Sequence, residues 1–90
     1  MHTPAYTRQF AKDVKLALKR GENPEKLKLI VSALLRGEPL DPIHRDHKLL
    51  GAYAGRRDCH IESDWLLAYK LQGDTIVFER TGTHADLFRA

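Results

Sequence analysis

Hydrophobic positions recur with two different periods along this chain. Between Thr7 and Arg20, Phe10, Val14, Ala17 and Leu18 return at i, i+4, i+7 and i+8, which places them on one face of a helix. Arg8, Lys12, Lys15 and Lys19 occupy another face. Thr7 is suited to cap the helix, and Gly21 to end it through a positive φ. A second helix starts at Asn23-Pro24, with Asn as N-cap, Pro at the first turn and Glu25 at the positive end of the dipole. Its stripe is Leu27, Ile30, Val31, Leu34 and Leu35. Gly37 and Pro39 stop it. Only a few residues join the two helices, so an antiparallel helical hairpin is expected.

Beyond Leu40 the pattern changes. Residues 40–54 read mostly as loop, punctuated by Pro42 and Gly51. Arg57 to Ile61 then alternates as a strand. Trp65 to Leu71 is a richly apolar strand, Gln72-Gly73-Asp74 a hairpin turn, and Thr75 to Arg80 the partner strand. Thr81-Gly82-Thr83 is read as a break, followed by one helical turn over His84 to Phe88. A short edge strand is expected at Ala5 to Thr7. The order is β-α-α-β-β-β: an α+β fold with an N-terminal helical hairpin on a small, mainly antiparallel sheet, in one domain over residues 1–90.

Composition narrows the class. The chain has 90 residues, 42% apolar and 30% charged, which suits a small globular domain and not a disordered segment. No apolar run approaches the ~20 residues that a membrane span needs. A lone cysteine, Cys59, forms no internal disulfide and reads as a small buried apolar residue. With no evident signal segment, a cytoplasmic protein is expected. The net charge is +3, but it is unevenly divided. Residues 1–45 hold nine Lys/Arg against five Asp/Glu, and residues 46–90 six against seven. The basic half is a candidate surface for nucleic acid.

The candidate chemistry lies in the other half. Strand alternation places Asp58, His60 and Glu62 on one face and Cys59 and Ile61 on the other. His47 precedes that strand, Asp64 follows it, and His84 follows the last strand. Paired imidazoles titrate near neutral pH and can act as general base and general acid. RNA cleavage by 2′-OH attack needs those two groups and a cation for the phosphate. Arg56, Arg57 and Arg80 are available cations. Trp65, Tyr53 and Phe88 are aromatic residues that could stack on bases. The same His/Asp set could alternatively hold a metal, although no pair has a short fixed ligand spacing. No role is assigned to His2 or His44.

Three segments, Asp46-His47-Lys48-Leu49-Leu50-Gly51, Arg57 to Leu71 and Phe78 to Phe88, resemble the YafQ branch of the RelE/ParE toxin superfamily, as does Phe10 to Ala17. The resemblance implies a type II toxin: a ribosome-dependent mRNA interferase that cuts message in the A site and is restrained by a cognate antitoxin, often with a ribbon-helix-helix DNA-binding part. It implies catalytic roles for His47, His60, Asp64 and His84, with His84 the favoured acid and His60 or His47 the base. It implies substrate-binding roles for Asp58, Trp65, Arg80 and Phe88, and no metal or other cofactor. RelE itself relies more on Lys and Arg. A ParE-like toxin that binds gyrase without chemistry, and a His/Asp metal-binding domain, are the alternatives.

Overall fold

The computed structural model describes residues 1–48 and 55–88. Strand β1 (Thr3–Tyr6) leads into α1 (Arg8–Lys19) and α2 (Pro24–Leu35). A 3₁₀ turn (Pro42–His44) and a two-residue strand β2 (His47–Lys48) follow. Then come β3 (Arg56–Glu62), β4 (Trp65–Gln72), β5 (Thr75–Gly82) and the short helix α3 (His84–Phe88). The five strands form one sheet in the order β1-β5-β4-β3-β2. Every pairing is antiparallel except β1 with β5. The expected α+β layers are present, with β2 added at the far edge.

Local chemistry fixes the helix ends where the sequence reading placed them. The Thr7 side chain accepts from the Phe10 N–H, and Asn23 from that of Glu25. Gly21 and Gly37 follow the helices at φ +86° and +71°. Phe10 and Ala17 of α1 and Leu27, Ile30 and Leu34 of α2 join Cys59, Ile61, Trp65, Leu67, Tyr69, Ile76 and Phe78 in the main core. Each large apolar side chain buried there contributes about 1.5–3 kcal/mol. Leu66 and Ala68, on the opposite sheet face, are buried as well, and α3 packs against β5 with Leu87 buried. Leu18 is half exposed, however, while Asp13 is buried in its place on α1.

Strand β5 does not break at Thr81. Leu67 pairs with Thr81 and Leu66 with Gly82, so the ladder runs two residues further than expected. It also carries a bulge. Tyr69 pairs with Phe78 but Ala68 with Arg80, leaving Glu79 as an extra residue. Thr7 anchors that kink: its N–H donates to the Phe78 carbonyl at 3.2 Å and its hydroxyl to the Glu79 carbonyl at 2.9 Å. Strand β1 ends opposite Phe78. Past that point the Thr81 N–H donates to the Asp13 carboxylate at 3.1 Å instead of to a strand.

Candidate active site

Residues directly opposite on paired strands share a sheet face. Asp58, Ala68 and Arg80 form one such row, and His60, Leu66 and Gly82 the next. The bulge decides the first row. By plain alternation Arg80 would share the core face of Phe78; the extra residue moves it to the face of Asp58. Its guanidinium is then fixed by Asp13, with Nε at 2.7 Å and Nη2 at 3.3 Å from the carboxylate oxygens. Gln9 donates to the same carboxylate at 2.9 Å.

Three imidazoles gather on this face. His47 on β2 is registered opposite Asp58, with Nε2 3.8 Å from Oδ2. Its Nδ1 lies 2.5 Å from the Arg45 carbonyl, which can only accept, so Nδ1 carries the proton. His60 and His84 meet edge to face, ring centroids 5.3 Å apart. Asp64, in the turn between β3 and β4, accepts from both the backbone N–H and the Nδ1–H of His84, at 2.9 and 2.7 Å. That pairing leaves His84 Nε2 to exchange a proton.

The electrostatics separate the roles. The His60 pKa is lowered, first by burial and then by the positive charges of His84, Arg45 and His47, so it favours the neutral form. Hydrogen bonds from the His84 backbone and ring hold the Asp64 carboxyl below its usual range. Burial pushes the Asp58 carboxyl up, against the opposing pull of His47 and His84. Asp58 is 3% exposed, and its Oδ1 lacks a partner among the described residues. The fold thus keeps a destabilised acceptor beside the imidazoles, a pattern of functional sites.

The cations named from sequence are all engaged with carboxylates: Arg56 with Glu79, Arg57 with Asp46, and Arg80 with Asp13. Trp65 is corrected from a base platform to a core residue. It is 2% exposed, and its indole N–H donates to Thr81 Oγ1 at 2.9 Å. Phe88 is partly exposed on α3. Tyr53, and the Leu49-Leu50-Gly51 end of its motif, lie outside the described residues. Cys59 is fully buried, which pushes its thiol pKa up.

Some supporting residues carried no signal in the sequence. His44 donates Nδ1–H to the His60 carbonyl at 2.7 Å. Asp46 accepts from the Tyr69 hydroxyl at 2.6 Å and from Arg57 Nε at 3.2 Å, anchoring the chain next to His47. The adjoining Asp46-His47 pair was the one available hint. Among the described residues, no three His, Cys, Asp or Glu side chains are grouped to hold a metal ion. No described helix is long and apolar enough to cross a membrane.

Comparison with known proteins gives this geometry a context. The sequence model of YafQ, the bacterial toxin of a type II toxin-antitoxin system, matches residues 2–89. The mRNA interferase toxin YafQ of Escherichia coli K12 is 49% identical over 84 residues, covering 92% of this chain and 91% of that one. The crystal structure of YafQ from E. coli BL21(DE3) superposes with a TM-score of 0.92 at 45% identity, over 98% of this chain and 99% of that one. YafQ in the E. coli DinJ-YafQ complex gives 0.91 at 46% identity, again over 98% and 99%.

Proposed function

The chain belongs to the YafQ family of bacterial type II toxin-antitoxin toxins, and from that premise we propose that it is an mRNA interferase whose catalytic pair is His60 and His84. The observation that carries this reading is the His60–His84 contact at 5.3 Å with Asp64 bound to the far nitrogen of His84. Neutral His60 takes the proton from a message 2′-OH. The oxygen forms a bond to the adjacent phosphorus as the bond from phosphorus to the 5′-oxygen breaks. His84 Nε2–H, backed by Asp64, protonates that leaving oxygen. Arg80, aimed by Asp13, and His47, facing Asp58, flank the phosphate and offset its charge. Each proton-transfer group is typically worth about 10²–10⁴-fold in rate.

The ribosome supplies substrate alignment by presenting message in its A site. Lys12, Lys15 and Lys19 project from exposed positions of α1 and suit ribosomal RNA. Lys26 and Lys28 are already paired, with Glu62 and Glu25, and contribute less. A cognate antitoxin, of ribbon-helix-helix type, restrains the toxin, in keeping with the DinJ-YafQ assembly of the relative.

The test is toeprinting of a translated message with purified toxin. Cleavage that requires ribosomes and disappears in His60→Ala and His84→Ala, both folded, is the expected result. Full cleavage by both variants would refute the assignment, and gyrase poisoning without cleavage would favour a ParE-like action.

A further inference from the structure

A cleft of about 280 Å³ opens beside His60, between the 3₁₀ turn and the turn joining β3 to β4. Ile43, His44 and Arg45 line one side, and His60, Glu62 and Ser63 the other. That volume lies at the small end of ligand pockets and suits one planar ring system. Its lining is chemically mixed. Ile43 is 75% exposed, an apolar surface offered to solvent, while Glu62 and Ser63 bring hydrogen-bonding groups. The His60 ring belongs both to this cleft and to the imidazole pair.

Arg45 supplies a second, independent observation. It sits in the left-handed region at φ +47°, alone among the described non-glycine residues. Such a conformation costs of order 1–2 kcal/mol and persists only when its surroundings impose it. Here Asp41 caps the 3₁₀ turn through the Ile43 N–H at 3.0 Å, and the Arg45 N–H donates to the Pro42 carbonyl at 3.1 Å. The Arg45 carbonyl accepts from His47. The guanidinium forms no hydrogen bond or ion pair among the described residues, unlike Arg56 and Arg57. Its charge nevertheless reaches His60, whose pKa it helps to lower. The strained turn thus places an uncommitted cation at the mouth of a base-sized cleft, next to a candidate catalytic ring.

We propose that this cleft is a nucleotide subsite: it receives the base next to the scissile phosphate, and Arg45 binds the phosphate on that nucleotide's far side. This rests on the RNA-cutting reading of the same face. The base packs against Ile43 and the His60 edge. Lys26 holds one oxygen of Glu62. The other, with the Ser63 hydroxyl, accepts from base N–H groups, the mode by which proteins read unstacked single-stranded RNA.

Ribosome-dependent cleavage kinetics test the subsite with three variants. Arg45→Gly removes the cation while relaxing the backbone strain, so it separates charge from conformation. Measured at a pH well above the His60 titration, it is expected to raise the KM for programmed ribosomes roughly tenfold, the loss of one charge-assisted contact, with kcat little changed. Arg45→Lys should restore a substantial part. Ser63→Trp, an exposed turn substitution, fills the cleft; it should reduce cleavage and redistribute the cut sites according to the neighbouring base. Arg45→Gly and Ser63→Trp proteins that are folded and cleave at wild-type KM, at unchanged positions, overturn the subsite while wild-type cleavage still upholds the RNA-cutting reading. Absence of wild-type cleavage overturns both.

Discussion

Replacing Asp13 by Ala should be among the most damaging single changes outside the apolar core. Asp13 lies on α1 within an otherwise apolar buried face, yet it is 7% exposed and accepts from Gln9, Arg80 and the Thr81 backbone. Truncation orphans the buried Thr81 N–H, at a cost of about 1–3 kcal/mol. It also removes a carboxylate partner of Arg80. That guanidinium is about one-third exposed, so the pair adds no more than about 1 kcal/mol. The expected total is about 3 kcal/mol, and the melting temperature should fall by roughly 12–24 °C for a domain of this size. Urea and thermal melts of Asp13→Ala, Arg80→Ala and the double variant measure each part. Arg80→Ala should cost less than Asp13→Ala, since it leaves Thr81 satisfied, and the cycle should show coupling near 1 kcal/mol. Asp13→Asn, which keeps an acceptor oxygen, should fall between. An Asp13→Ala protein within 0.5 kcal/mol of wild type would mean that the carboxylate does not hold Thr81 and Arg80 in place, and the account of how the Arg80 guanidinium is fixed would fail.

Asp58→Asn should gain about 0.5–1 kcal/mol at neutral pH in urea unfolding while losing cleavage. Burial raises this carboxyl above its unfolded value, so the penalty grows as pH rises through the unfolded pKa, is complete above the folded one and vanishes in acid; a variant less stable than wild type at pH 7 would contradict this. NMR titration should place His60 below an ordinary histidine, and Arg45→Gly or His47→Gln should move it up, shifting the acidic limb of the cleavage profile the same way. An unmoved His60 titration would disprove the electrostatic coupling. Gly82→Ala should destabilise by about 1–3 kcal/mol, because the added Cβ would lie 2.8 Å from Asp86 Oδ2, and Asp86 both caps the Thr83 N–H and pairs with Arg20. Loss of the His84–Asp64 NMR contact should accompany it; an unchanged melt and spectrum would show that α3 absorbs the methyl freely.

Much of the fold was legible from local rules. Thr7, Asn23, Gly21 and Gly37 act at the helix ends through groups within four residues, so their signals survive without tertiary context. The face of β3 bearing Asp58 and His60 followed from alternation alone. Leu18 is half exposed where the stripe predicts burial, and Asp13 is buried where nothing predicts it: helical periodicity sorts residues by hydrophobicity and cannot know that Arg80 and Thr81 will meet a buried carboxylate 67 and 68 residues away. Strand spacing alone favours a core place for Trp65, while the motif resemblance points to substrate binding; only the burial of the ring in the folded sheet decides for the core.

The sequence by itself determined the helices, their caps, the β3 face that bears Asp58 and His60 and, through its motif resemblance, the family. Tertiary structure alone decided how these became a site. The Glu79 bulge, the turn that brings Asp64 to His84, and the left-handed Arg45 each depend on partners remote in the chain or on strain imposed by neighbours. Such contacts join residues whose separation in sequence carries no period, so only closure of the sheet brings them within hydrogen-bonding distance.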